Sequence, residues 1–369
     1  MAGAQAYFAQ DYAEAREGFL AAAARRGLAP ASVLHPSRQG AKGEDLAMDS
    51  VLLGPADAAS LLIVTSGTHG VEGFCGSGCQ RALLGDDDLL KRIDAGRAAV
   101  LLVHALNPYG FSYLRRANED NIDLNRNFLD FSQARAKNTG YDELHELLLP
   151  AEWPPTGANR AALGASRERM GDRVFQAAVS AGQDLRPEGL FYSGLAPSWS
   201  NRTLRELLRR HGAGKRRIGW IDLHTGLGPA GHGEKIFAGR NDAADLARTR
   251  AWYGADVMSY YDGKSASAEV KGPAALCVYE ECPGAEIANM GLEFGTVPFD
   301  AVLHALRGAH WLEIHPDAPA ALRAGIERGI RDAFYTDTDL WKGMILGQSR
   351  TAILQAVTAL APMQGKDGE

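Results

Sequence analysis

The sequence predicts an α/β fold with a largely parallel central sheet flanked by helices. Two observations carry that expectation. Apolar runs such as Leu61-Leu62-Ile63-Val64 alternate along the chain with longer stretches of helical apolar spacing. Hydrophobic residues make up 46% of the 369 and charged residues 23%, enough to build a sizeable soluble core.

Taken in order, residues 7–26 read as an amphipathic helix, with Tyr7, Phe8, Tyr12, Phe19 and Leu20 on or near one face. An alternating stretch at 46–53 reads as a strand, closed by Gly54-Pro55. A strand at 61–65, a helix at 74–84 and a strand at 100–103 follow. The segment from about 130 to 200 holds Pro150, Pro154, Pro155, Pro187 and Pro197, with a helix near 160–181, and is expected as a long excursion between sheet strands. Beyond it come a helix at 201–211, a strand at 218–223, a strand pair at 274–281 and 290–295, and helices at 301–314, 319–334 and 337–360. No internal repeat is visible, and residues 1–369 are expected to form one catalytic domain.

Charge and composition exclude several classes. The formal net charge is −6, and apart from Lys215-Arg216-Arg217 at a strand entry there is no basic cluster, so a nucleic-acid partner is not expected. No run approaches the roughly 18 apolar residues of a membrane span. Asp11, Glu14, Arg16 and Glu17 stand where a signal peptide needs an apolar centre, so a cytoplasmic location is expected. Cys75, Cys79, Cys277 and Cys282 lack C-x-x-C spacing and are expected as small buried residues, not as a metal site.

Chemistry concentrates in three places. Ser66-Gly67-Thr68-His69-Gly70-Val71-Glu72-Gly73 puts a histidine and a carboxylate three residues apart just after a buried strand, with glycines on both sides allowing close approach. Much later, Trp220-Ile221-Asp222-Leu223-His224-Thr225-Gly226 ends another apolar strand in a histidine. Ligands collect at the carboxyl ends of strands in open α/β sheets, which argues for bringing His224 to His69 and Glu72. Two histidines and one carboxylate leave a fourth zinc position open, the arrangement of a catalytic site.

The second cluster is Asn107-Pro108-Tyr109-Gly110-Phe111, then Arg115, Arg116 and Asp123-Leu124-Asn125-Arg126-Asn127-Phe128. Asp123 could accept the free imidazole N–H of a metal-binding histidine. Asn125, Arg126 and Arg116 could form a donor array for a carboxylate. The third is Glu293, alone in the apolar strand Met290-Gly291-Leu292-Glu293-Phe294-Gly295; burial would tune it as a general base, while the alternating pattern taken alone would equally point it at solvent. His104 ends a strand without a carboxylate at ligand spacing and is expected to be structural. His232, in the loop after His224, could line a pocket. Ser77 lacks the spacing of a nucleophile elbow, and Gly214-Lys215 does not continue as a phosphate loop.

In this order, His-x-x-Glu, Arg with Asp-Leu-Asn-Arg-Asn-Phe, Leu-His-Thr-Gly and Leu-Glu-Phe-Gly, the chain resembles the zinc carboxypeptidase superfamily from about residue 60 to 300. The wording of the first motif, the Asn-Pro-Tyr-Gly-Phe turn and the proline-bearing excursion resemble a bacterial branch of largely unassigned function. The Gly-Thr-His-Gly-x-Glu form also resembles the aspartoacylase and succinylglutamate desuccinylase group. The resemblance implies a mixed, mostly parallel sheet and one zinc ion held by His69, Glu72 and His224. It implies Glu293 as catalytic acid/base, Arg116 polarising the scissile carbonyl, Asn125 and Arg126 binding a substrate carboxylate, and Asp123 supporting His69. Tyr260, Tyr261 and Tyr279 match no family position well enough to carry a role over. The expected function is hydrolysis of an amide bond in a small peptide or other carboxylate-bearing substrate. The alternatives are an N-acyl amino acid deacylase and a non-catalytic binding protein on the same scaffold. The sequence does not determine the oligomeric state.

Overall fold

The computed structural model describes residues 3–96, 98–134 and 137–361. Its centre is a seven-stranded sheet of β1 (Ala31–Gln39), β2 (Asp45–Leu53), β3 (Ser60–Thr65), β4 (Ala99–His104), β5 (Arg217–Gly226), β6 (Gly233–Phe237) and β7 (Glu286–Gly295), in the order β1-β2-β4-β3-β5-β7-β6. The four central strands run parallel, while β1, β2 and β6 are antiparallel to their neighbours. The sheet is therefore mixed and mostly parallel at its core, as expected.

Successive residues of the central strands feed two different cores, because side chains alternate across a pleated sheet. Leu62 and Val64 pack with the helices Tyr12–Arg25, Gly73–Leu84 and Asp339–Leu360. Leu61 and Ile63 pack with the helices Trp199–Gly212 and Cys277–Glu281 on the other face. Burial on both faces is why these strands read as continuous apolar runs. The cysteines divide between the same two cores, Cys75 and Cys79 on one face and Cys277 and Cys282 on the other, so four thiolates cannot converge. A third apolar cluster lies away from the sheet, where Leu144, Phe175, Leu303 and Phe334 join four helices.

Several expectations need correction. Residues 274–281 are not a strand: they form a 3-10 turn (Ala274–Leu276) and a short helix (Cys277–Glu281), with Ala274, Ala275, Cys277 and Val278 buried in the second core. The neighbours of β7 are instead β5 and β6. The helix expected at 160–181 is two, Gly157–Met170 and Asp172–Ser180, broken at Gly171 with φ 79°. The first helix begins at Tyr12, where the Asp11 side chain accepts from the Glu14 N–H, a standard cap. An edge strand that the sequence reading did not include, β1, precedes β2 and carries His35. No helix among the described residues is long and apolar enough to cross a membrane.

Candidate metal centre

The parallel strands β3, β5 and β7 deliver the site at their carboxyl ends. After β3 the chain turns through Gly67 at φ 62°, a left-handed conformation that glycine holds at little cost. At Gly70 a Cβ would lie 2.0 Å from the Gly110 carbonyl carbon, so only glycine lets the helix Pro108–Ser112 press this close. The turn leads into a 3-10 segment (Gly70–Glu72), which sets His69 and Glu72 side by side. In the sheet His224 of β5 sits directly opposite Glu293 of β7, although 69 residues separate them.

His69, Glu72 and His224 converge, with one ligand atom from each lying within 4.8 Å of the others, and all three are buried. His69 Nδ1 is 2.9 Å from Glu72 Oε1, and His224 Nδ1 is 3.0 Å from Glu72 Oε2. Both imidazoles thus turn the same nitrogen to one carboxylate and the other to an aspartate. His69 Nε2 is 3.3 Å from Asp123 Oδ1, and His224 Nε2 is 2.7 Å from Asp222 Oδ2. The Thr225 N–H also donates to Glu72 Oε2. The two histidines, more than burial can offset, hold the Glu72 carboxyl far below the usual carboxylate range. Burial opposes the charged form of His224, but Asp222 and Glu72 outweigh it and raise its pKa well above normal.

Asp222 was not singled out from the sequence, yet it holds His224 while accepting from Thr65 Oγ1 (2.6 Å) and Thr68 Oγ1 (2.8 Å). A signal was present. A carboxylate two residues from His224 in an apolar strand must share its face.

Around this centre Arg116 donates through Nε to Asp123 Oδ2 (2.8 Å) and through its NH1 group to Glu72 Oε1 (3.3 Å). Its third nitrogen lies 2.8 Å from His69 Nε2. Asn125 is half-buried, with Oδ1 accepting from the Ala274 N–H and Nδ2 3.4 Å from His224 Nε2. Arg126 is buried, and its guanidinium donates to the carbonyls of Ser180 and Asn125. Burial pushes its pKa down to about 10, with Asp123 the main opposing charge. Glu293 is half-buried, and its Oε1 accepts from the Leu227 N–H at 2.8 Å. Burial, and then the charge of Glu72, pushes its carboxyl up to about 7.

Of the candidate site residues read from the sequence, all except Asp123 line one cavity of about 140 Å³, and so does Asp222. Its remaining wall is mainly apolar and includes Phe191, Leu303, Leu306 and Phe334, with Tyr260 among the few polar groups. His232 is exposed and does not line it. Two imidazoles and a carboxylate, buried and converging beside open space, fit a divalent cation of the zinc class.

The chain belongs to the family described as "protein of unknown function (DUF2817)", whose model matches residues 8–348. No curated protein matches the sequence. Similar solved structures include carboxypeptidase A from Helicoverpa armigera, at 11% identity over 86% of this chain and 73% of that one, with a TM-score of 0.42. Another is the metallo-carboxypeptidase from Pseudomonas aeruginosa in complex with (2-guanidinoethylmercapto)succinic acid, at 16% identity over 91% and 69%, with a TM-score of 0.40. A third is a candidate succinylglutamate desuccinylase/aspartoacylase from Shewanella frigidimarina, at 16% identity over 76% and 69%, with a TM-score of 0.37.

Proposed function

We propose that this chain is a zinc-dependent hydrolase of carboxypeptidase type, cleaving an amide bond in a small substrate with a free carboxylate. The observation that carries the reading is the convergence of His69 Nδ1 and His224 Nδ1 on Glu72, with Glu293 opposite His224 on the same cavity. His69, Glu72 and His224 would hold the ion, while Asp123 and Asp222 orient the two imidazoles through their far nitrogens. Zinc bound there supplies Lewis acidity, polarising a carbonyl and making water acidic enough to attack at neutral pH.

The chain's own residues do the rest. Glu293, with a pKa of about 7, takes a proton from the attacking water and returns it to the leaving amine. Arg116, anchored on Asp123, brings positive charge to the oxygen where negative charge develops. Arg126 is a buried cation opposed chiefly by Asp123, whose carboxylate is 3.9 Å away, so a substrate carboxylate is a natural complement. Of the five N–H donors of its guanidinium, those not committed to Ser180 and Asn125 are available for this, together with the Asn125 amide.

An N-acyl amino acid is the second reading, since the largely apolar wall that includes Phe191, Leu303, Leu306 and Phe334 suits an acyl group. One experiment tests both. The zinc-loaded protein is offered a panel of short peptides and N-acyl amino acids. We expect release of a free amino acid that stops on chelation and resumes on adding zinc; the preferred half of the panel separates peptidase from deacylase. No release from any member would refute the hydrolase reading.

A further inference from the structure

Phe191 belongs to none of the motifs, yet both arginines of the site lie over its ring. The Arg116 guanidinium carbon lies 5.0 Å from the centroid of its ring and that of Arg126 lies 5.4 Å away, both within cation–π range. The ring is buried and walls both the main cavity and a smaller one behind it, lined by Arg115, Arg116 and Asp123. Its backbone holds φ 55°, a left-handed conformation that is uncommon for a bulky residue. Local bonds maintain that conformation. The Phe191 carbonyl accepts from the Gln183 N–H, and the next carbonyl, of Tyr192, accepts from the Asp123 N–H at 2.9 Å.

Arg116 is engaged by Asp123, Glu72 and His69, and Arg126 commits one N–H from each of its three nitrogens to Ser180 and Asn125, which leaves its remaining donors for the substrate carboxylate. Each cation repels the other, and Arg116 helps lower the pKa of Arg126. An aromatic ring within reach of two like charges offers each of them the negative quadrupole of its π-system, which an aliphatic side chain of similar volume cannot do.

We propose that Phe191 is a positioning residue that fixes Arg116 and Arg126 relative to each other. It thereby sets the span between the cation facing the scissile carbonyl and the cation facing the substrate carboxylate. The catalytic part of this inference rests on the hydrolase reading; the placement of the arginines does not.

The test compares Phe191→Leu, which keeps apolar volume, with Phe191→Tyr, which keeps the ring. For a free-acid substrate, Phe191→Leu should lower kcat/KM by on the order of tenfold and narrow the preference for the free acid over its amide. Phe191→Tyr should stay near the parent. Side-chain Nε–H signals of Arg116 and Arg126, read in protein labelled with ¹⁵N-arginine, should both move in Phe191→Leu and stay close to the parent in Phe191→Tyr. Unmoved arginine signals with parental activity in Phe191→Leu would overturn the proposal. Equal loss in both variants with the arginine signals in place would also overturn it. If the parent hydrolyses nothing, the function reading fails while the arginine signals still decide the role of Phe191.

Discussion

His104 closes β4 and His224 lies near the end of β5, with only β3 between the two strands, and both are buried. His104 stacks on Phe19 at 4.7 Å and places Nε2 2.9 Å from Ser77 Oγ, while its Nδ1 has no hydrogen-bond partner. Burial drives its pKa down to about 4, so the ring is neutral. His224 has a carboxylate on each nitrogen, opens onto the cavity, and has its pKa pushed the other way. The Ser77–His104 pair has the makings of a nucleophile and a base, but it is sealed among Phe19, Phe111 and the sheet. A histidine at a strand end is thus no functional signal by itself. What distinguishes the two is carboxylates within hydrogen-bond reach and space for a ligand.

The comparison can be broken at several points. The largest expected effect is at the residue opposite His224: Glu293→Gln should retain the metal and lose about 10²–10⁴ in kcat, and near-parental turnover would remove Glu293 from the chemistry. Asp222→Asn should weaken metal binding by about 10–100-fold, measured by chelator competition, because it deprives His224 of the partner that His104 never had; parental affinity would make Asp222 a purely structural residue. Arg126→Ala should chiefly raise KM for free-acid substrates and barely alter it for the corresponding amides. Equal effects on both would end its assignment to the carboxylate.

The smallest effect is on stability and concerns His104. Unfolded, the ring takes up its proton near pH 6.5; folded, it does so only near 4. Between those values the unfolded chain binds the extra proton, so stability falls as pH is lowered through that window, by about 3 kcal/mol in full. Denaturant titrations of His104→Gln should show a flatter acid limb than the parent. An identical limb would mean that His104 is not the group responsible.

Much of the site was legible in the sequence because its groups violate local expectation. His69 and Glu72 interrupt a strand-to-helix turn flanked by glycines, and Glu293 interrupts an apolar strand. What brings His224 to Glu293 is the parallel register of β5 and β7, a long-range property that sequence spacing does not encode. Strand β1 escaped notice because it is a largely exposed edge containing Pro36. Residues 274–281 misled because buried Ala, Cys and Val serve a helix packed on a sheet as well as they serve a strand. Phe191 could not have been found, since its significance lies in two arginines brought to it by tertiary packing.

The most direct test of the central claim is the zinc content of the purified parent, His224→Ala and His104→Ala proteins, each exposed to excess zinc and then dialysed. The account predicts one tightly held equivalent in the parent and in His104→Ala, and far less than one in His224→Ala. A full equivalent in His224→Ala, or none in the parent, would contradict it.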